Sequence, residues 1–134
     1  MKSAISILIV DDEKTMLTLL DKILSREGYQ VICAESGKSA LQLMQDNTID
    51  LVISDLKMEG MSGFDLLKVV KEQYAGVGVI IMTAYGDTYT VKDALLLGAD
   101  EYITKPFKSF EISMVVERTY WRLLARSKQD VKQT

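Results

Sequence analysis

Five short apolar runs divide the chain at regular intervals, beginning near residues 5, 31, 51, 78 and 101. Ile5–Val10 stops at Asp11-Asp12, Leu51–Ser54 at Asp55, Val79–Met82 at Thr83, and Tyr102–Thr104 at Lys105-Pro106. Only Val31–Ala34 ends in nothing chemical. Between the runs, apolar residues recur with helical period. Met16, Leu17, Leu19, Leu20, Ile23 and Leu24 form one stripe, Ala40, Leu41, Leu43 and Met44 a second, and Leu66, Leu67, Val69 and Val70 a third. Val91, Ala94, Leu95 and Leu97 form a fourth, and Ile112, Val115, Val116, Thr119, Leu123 and Leu124 a fifth. A strand–helix pair repeated five times predicts an α/β fold, with a parallel sheet covered by helices on both faces. The unbroken apolar character of Ile7–Val10 and Val79–Met82 suits strands buried on both sides.

The punctuation agrees with this division. Gly28 suits a left-handed position just past the first helix, and Gly98 ends the fourth. Ser36-Gly37 opens the second helix, and Ser62-Gly63-Phe64-Asp65 resembles a capping box at the start of the third. The single proline, Pro106, interrupts no helix.

The chain has 134 residues, 48% of them apolar and 26% charged, which suits one domain with a real core. No apolar stretch approaches the roughly 20 residues of a membrane span, and the N-terminus lacks the pattern of a signal peptide. The reading therefore places the protein in the cytoplasm. Cys33 is the only cysteine, forms no internal disulfide and is expected to be a small buried hydrophobe. Net charge is −3. Residues 117–134 carry Arg118, Arg122, Arg126, Lys128 and Lys132 against Glu117 and Asp130, which leaves an acidic body. That balance argues against direct nucleic-acid binding, and the basic stretch reads as a solvated helix face. Residues 127–134 are polar and are expected to be a frayed tail or linker stub after a domain of residues 1–126.

If the runs are parallel strands, Asp11, Asp12, Asp55, Thr83 and Lys105 meet at one edge of the sheet, where open α/β sheets bind ligands. Three neighbouring carboxylates repel one another and stay ionised together only around a cation. All-oxygen ligation with room for water suits Mg²⁺, to which the backbone carbonyl of Lys57 is a further candidate ligand. Asp11-Asp12 taken alone reads as a helix N-cap; the full set of five points to phosphoryl chemistry. Asp55 is the candidate nucleophile, since a carboxylate attacks phosphorus to give an aspartyl-phosphate. The metal and Lys105 would neutralise the phosphoryl oxygens, and the Thr83 hydroxyl would donate to one of them.

With these residues in place, the chain resembles the receiver domain of bacterial two-component response regulators. The resemblance rests on Asp11-Asp12, Asp55, Thr83-Ala84 and Lys105-Pro106-Phe107, and covers about residues 4–125. It implies a flavodoxin-like (βα)5 fold, a three-layer sandwich with strand order 2-1-3-4-5. That order is one for which receivers are a standing example. It also implies Mg²⁺-dependent phosphotransfer to Asp55 from a sensor histidine kinase or phosphotransfer protein, contact of Lys105 with the phosphoryl group, and a cis peptide before Pro106. Thr83 would swing toward the new charge, and the ring of Tyr102 would enter the space it leaves. The face formed by the fourth helix, fifth strand and fifth helix would then change shape for partner binding or homodimerisation. The output would be a downstream protein or a fused domain.

The chain departs from the family pattern in the loop after Asp55. Glu59 stands where the family commonly has proline, so the reading expects a more mobile loop. Lys57 and Tyr85 border the phosphoryl pocket, and neither is a carboxylate or amide suited to orienting water, which points to a long-lived aspartyl-phosphate. Tyr120 and Trp121 add aromatics to a helix that already has its apolar stripe, and read equally as a partner or dimer surface or as packing against the fourth helix or the chain end. Competing functions are weaker. A magnesium-dependent phosphohydrolase would want an acid two residues after the nucleophile, where this chain has Lys57 and no histidine anywhere. A flavin phosphate would be repelled by Asp11-Asp12-Glu13. A docking module that has lost phosphorylation stays open.

Overall fold

The computed structural model describes residues 5–84 and 91–133, and of Val91 and residues 127–133 the backbone alone. Strand β1 (Ser6–Val10) leads into helix α1 (Lys14–Arg26), followed by β2 (Gln30–Ala34), α2 (Gly37–Asp46) and β3 (Leu51–Asp55). The second half continues with α3 (Gly63–Gln73), β4 (Gly78–Ala84), α4 (Val91–Leu96), β5 (Glu101–Lys105) and α5 (Ser109–Gln133). The strands form one parallel sheet in the order β2-β1-β3-β4-β5. This is the flavodoxin-like three-layer arrangement.

Alternation along the central strands sorts the core into two halves. Leu8, Val10, Val52, Val79 and Ile81 pack with residues of α2, α3 and α4, among them Met44, Leu66, Val70 and Ala94. Ile7, Ile9, Ile53, Ile80 and Met82 pack on the other side with Leu17, Leu20 and Leu24 of α1 and Ile112 and Val116 of α5. The caps form where the sequence places them. Ser36 and Ser62 each accept from the backbone of the third helical residue and complete capping boxes with Ser39 and Asp65. Gly28 and Gly98 sit at φ 93° and 98°, past the ends of α1 and α4, where a side chain would be strained.

Four expectations change. Cys33 is exposed, not buried. It lies on the edge strand β2, which has a sheet neighbour on one side only. Leu19 is 45% exposed, because two residues from Leu17 is a turn of about 200° around the helix. On α4 only Ala94 of the expected stripe is buried among the described side chains, while Leu95 and Leu97 face outward. The fifth helix runs to Gln133, so the backbone of residues 127–133 continues the helix where a frayed tail was expected.

The basic stretch also has a structural role. Arg118 and Arg122 pair with Glu101, and Arg126 with Asp100. Lys71 of α3 holds Asp100 from the other side at 2.6 Å. Part of the expected solvated face therefore ties α5 to the start of β5. Trp121 stays 60% exposed, while Tyr120 packs partly against the α1–α5 core.

Candidate functional site

The C-terminal strand edge gathers the chemistry. Asp11 follows β1 directly, and its N–H donates to the carbonyl of Ala34, which extends the β1–β2 ladder by one residue. Its Oδ1 accepts the N–H of Glu13 at 2.9 Å. Asp11 thus shapes the turn into α1, yet the N-cap itself is Glu13, which makes no side-chain capping bond. Asp12 is exposed, and its Oδ2 accepts the N–H of Glu59 at 3.4 Å. Asp55 is the last residue of β3, paired with Met82 of β4. It is buried, and its Oδ1 accepts the N–H of Leu56 at 3.0 Å.

Lys105 closes the group from β5. Its Nζ lies 3.0 Å from Asp11 Oδ2 and 3.2 Å from Asp55 Oδ1. Carboxylate oxygens of Asp11, Asp12 and Asp55 all lie within 4.8 Å of one another. Thr83 is buried in β4, next along the strand from the register partner of Asp55. Tyr102 is half-buried on β5 opposite Ile81, beside a hollow of about 270 Å³ that Glu111 and Arg118 of α5 also line. Lys57, Met58 and Glu59 of the loop after β3 line a second hollow of about 430 Å³ that reaches Asp12. The Lys105–Pro106 peptide bond is cis. Tyr85 lies outside the described residues.

The electrostatics follow from burial. Removal from water pushes the Asp55 carboxyl up to about 6, with the charge of Asp11 adding to the rise and Lys105 opposing it. Burial alone would pull Lys105 down. Its hydrogen bond to Asp11 and the charges of the two aspartates outweigh that effect and raise it above the ordinary lysine value. Three oxygen-donor carboxylates around one point, two of them buried, form a hard-cation donor set. Mg²⁺ fits these residues on chemistry and charge.

The structure brings Asp11, Asp12, Asp55 and Lys105 together at the strand edge, with Thr83 buried in β4 and Tyr102 half-buried in β5. Sequence reading missed the role of the loop backbone. The Glu59 N–H that reaches Asp12 exists because the residue is not proline. That bond joins the loop to the Asp12 carboxylate. The signal was visible in the same substitution, which supplies a backbone donor along with the lost proline rigidity.

The chain matches the family model of the response regulator receiver domain over residues 7–117. It is 39% identical over 112 residues to Sporulation initiation phosphotransferase F of Bacillus subtilis, covering 84% of this chain and 90% of that protein. It is 38% identical over 112 residues to the regulatory protein AtoC of Escherichia coli, covering 84% of this chain and 24% of AtoC. The chain thus spans much less than half of that relative's length. Among solved structures, NtrX from Brucella abortus in complex with ATP superposes with a TM-score of 0.89 at 33% identity, covering 96% of this chain and 30% of that one. A response regulator receiver domain protein from Clostridium thermocellum superposes with a TM-score of 0.82 at 34% identity, covering 88% and 95%. By family model, relatives and strand order together, the chain belongs to the response regulator receiver domain family, the phosphoryl-accepting switches of two-component signalling.

Proposed function

We propose that Asp55 is the phosphoryl acceptor of this receiver, served by Mg²⁺ held between Asp11, Asp12, Asp55 and the backbone carbonyl of Lys57. The observation that carries the reading is the buried Asp55 within reach of two further carboxylates and 3.2 Å from the Lys105 ammonium. A carboxylate oxygen of Asp55 attacks phosphorus, while the bond from phosphorus to the donor imidazole breaks and its electron pair leaves on nitrogen. Bound metal supplies positive charge to the phosphoryl oxygens. Lys105 moves its hydrogen bonds from the carboxylates to a phosphoryl oxygen, and the Thr83 hydroxyl donates to another. The donor is a sensor histidine kinase or phosphotransfer protein in the cytoplasm. The domain acts as a switch and not as a turnover enzyme.

The signal leaves through Thr83 and Tyr102. As Thr83 turns toward the phosphoryl charge, the half-buried ring of Tyr102 moves inward. The α4–β5–α5 face then presents a different surface to a downstream protein, a fused output domain or a second copy. Lys57 and Tyr85 offer no group that orients an attacking water, so the aspartyl-phosphate is long-lived. Unchanged hydrolysis rates in both Lys57→Glu and Tyr85→Glu, which would supply such a group, would remove that last point.

Intact mass after incubation with a small phosphodonor and Mg²⁺ tests the core of the reading. The native chain is expected to gain one phosphoryl and Asp55→Asn none. No gain in folded, metal-loaded protein would leave a phosphorylation-independent docking module.

A further inference from the structure

We infer that Gly63 is a positioning residue for Asp55, because the absence of a side chain there lets α3 start directly against the strand end that carries the acceptor. Gly63 is the first residue of α3, behind the Ser62 cap. Its N–H donates to the Leu56 carbonyl at 2.8 Å and closes the loop between them. A Cβ on Gly63 would overlap the carbonyl oxygen of Asp55 and stand 2.9 Å from Leu56 Cα and 3.1 Å from the Asp55 carbonyl carbon. These are backbone atoms, so no side-chain rotation relieves the overlap.

Nor is the backbone at Asp55 free to retreat. Leu56 N–H donates to the Met82 carbonyl of β4 at 2.9 Å, and Ser54 Oγ–H donates to the Asp55 carbonyl at 3.0 Å. A side chain at 63 must therefore push α3 and its loop outward or peel Asp55 from the sheet. The first movement shifts the loop that carries Lys57, and the second shifts the Asp55 carboxylate against Asp11 and Asp12.

A second glycine lies against the same loop. A Cβ on Gly37, the first residue of α2, would stand 2.7 Å from Met61 Sδ and 3.0 Å from Met61 Cβ and Cγ. Contact reaches the base of the Met61 side chain as well as its tip. The loop between β3 and α3 is thus seated against two glycines, by Gly37 at Met61 and by Gly63 at its end, and neither position has room for a side chain.

The inference rests on the acceptor reading above, and the test separates the two. The full chain is compared with Gly63→Ala, Gly37→Ala, Gly37→Ala/Met61→Ala and, as control, Gly76→Ala, whose Cβ would meet nothing within 4 Å. Three quantities are read: Mg²⁺ affinity by titration calorimetry, the rate of phosphoryl gain from a small phosphodonor at saturating Mg²⁺, and the thermal midpoint by circular dichroism. Gly63→Ala is expected to lose about tenfold or more in both Mg²⁺ affinity and rate while still folded at the assay temperature. Gly37→Ala is expected to lose about threefold, and the double variant to recover most of it. Gly76→Ala is expected to match the native chain.

A lowered thermal midpoint in Gly63→Ala with native affinity and rate would make Gly63 merely structural and overturn the inference. Should Gly63→Ala fail to fold, the Gly37 pair decides. Loss in the single variant with recovery in the double supports the seating of the loop, and no change in either overturns it. A native chain that binds no Mg²⁺ and takes no phosphoryl overturns the acceptor reading, and the inference with it.

Discussion

The ammonium of Lys105 stands 3.2 Å from Oδ1 of Asp55, yet the Asp55 carboxyl still lies at about 6. Burial beside Asp11 outweighs the attached cation. Replacing Lys105 with methionine is therefore expected to move the Asp55 carboxyl further up, above about 6. Carboxyl carbon chemical shifts followed through a pH titration of metal-free protein read this directly. An unchanged midpoint would mean that the lysine does not reach the acceptor in solution.

The same carboxyl sets a sign for stability against pH. Asp55 is raised from 3.8 to about 6 on folding, so between these values the folded state holds the extra proton. Stability from protonated Asp55 is complete below about 3.8 and is lost as pH rises through about 6. Urea midpoints of metal-free native chain and Asp55→Asn are expected to diverge over that window. The native chain should lose on the order of 2 kcal/mol relative to the variant. Parallel curves would contradict it.

Glu101 carries the opposite sign. Burial works to raise it, but hydrogen bonds from Arg122 and Arg118 prevail and hold it below its ordinary value. Its stabilising effect is present above the unfolded pKa of 4.5 and is lost as pH falls through the lower folded value. Because both arginines are partly exposed, Glu101→Gln is expected to cost about 1 kcal/mol at neutral pH. The cost should shrink below pH 4.5. Urea unfolding at three pH values measures this.

Ser62→Ala removes one half of the α3 capping box, in which Ser62 Oγ accepts the Asp65 N–H at 3.1 Å. A loss of about 1 kcal/mol is expected, read from the urea midpoint. Mg²⁺ affinity should stay within about twofold of native, since a cap acts on helix stability and leaves the glycine seat intact.

Thr83→Ala is expected to take up phosphoryl at Asp55 more slowly, since one donor to the phosphoryl oxygens is lost, and to uncouple Tyr102. Ring resonances of Tyr102, assigned with Tyr102→Phe, should shift on phosphorylation in the native chain and stay put in the variant. Equal shifts in both would separate the ring from the threonine.

Much of the molecule was legible before any coordinates. Short apolar runs marked five strands and the helical period five helices, because a strand buried on both faces and a helix buried on one each leave a local pattern. Ser36, Ser62 and Gly28 announced helix ends, since capping depends on atoms within a few residues. Asp11, Asp12, Asp55, Thr83 and Lys105 stood out because each follows or ends a strand.

What escaped depends on atoms far apart in sequence. Cys33 looked buried by its apolar neighbours, and only the place of β2 at the sheet edge exposes it. Leu95 and Leu97 share a helical pattern with Ala94, yet α4 is six residues long and buries only Ala94 among its described side chains. The basic residues of α5 looked solvated until β5 brought Asp100 and Glu101 beneath them. In the site itself, sequence supplied the acids and the lysine. Folding decided that Lys105 would bridge Asp11 as well as Asp55, that the Glu59 N–H would reach Asp12, and that Asp55 would titrate near 6. Element order and side-chain chemistry are local properties, carried by the residues themselves. Strand order, exposure at an edge and the energy of a buried charge belong to packing, which exists only once the whole sheet has closed.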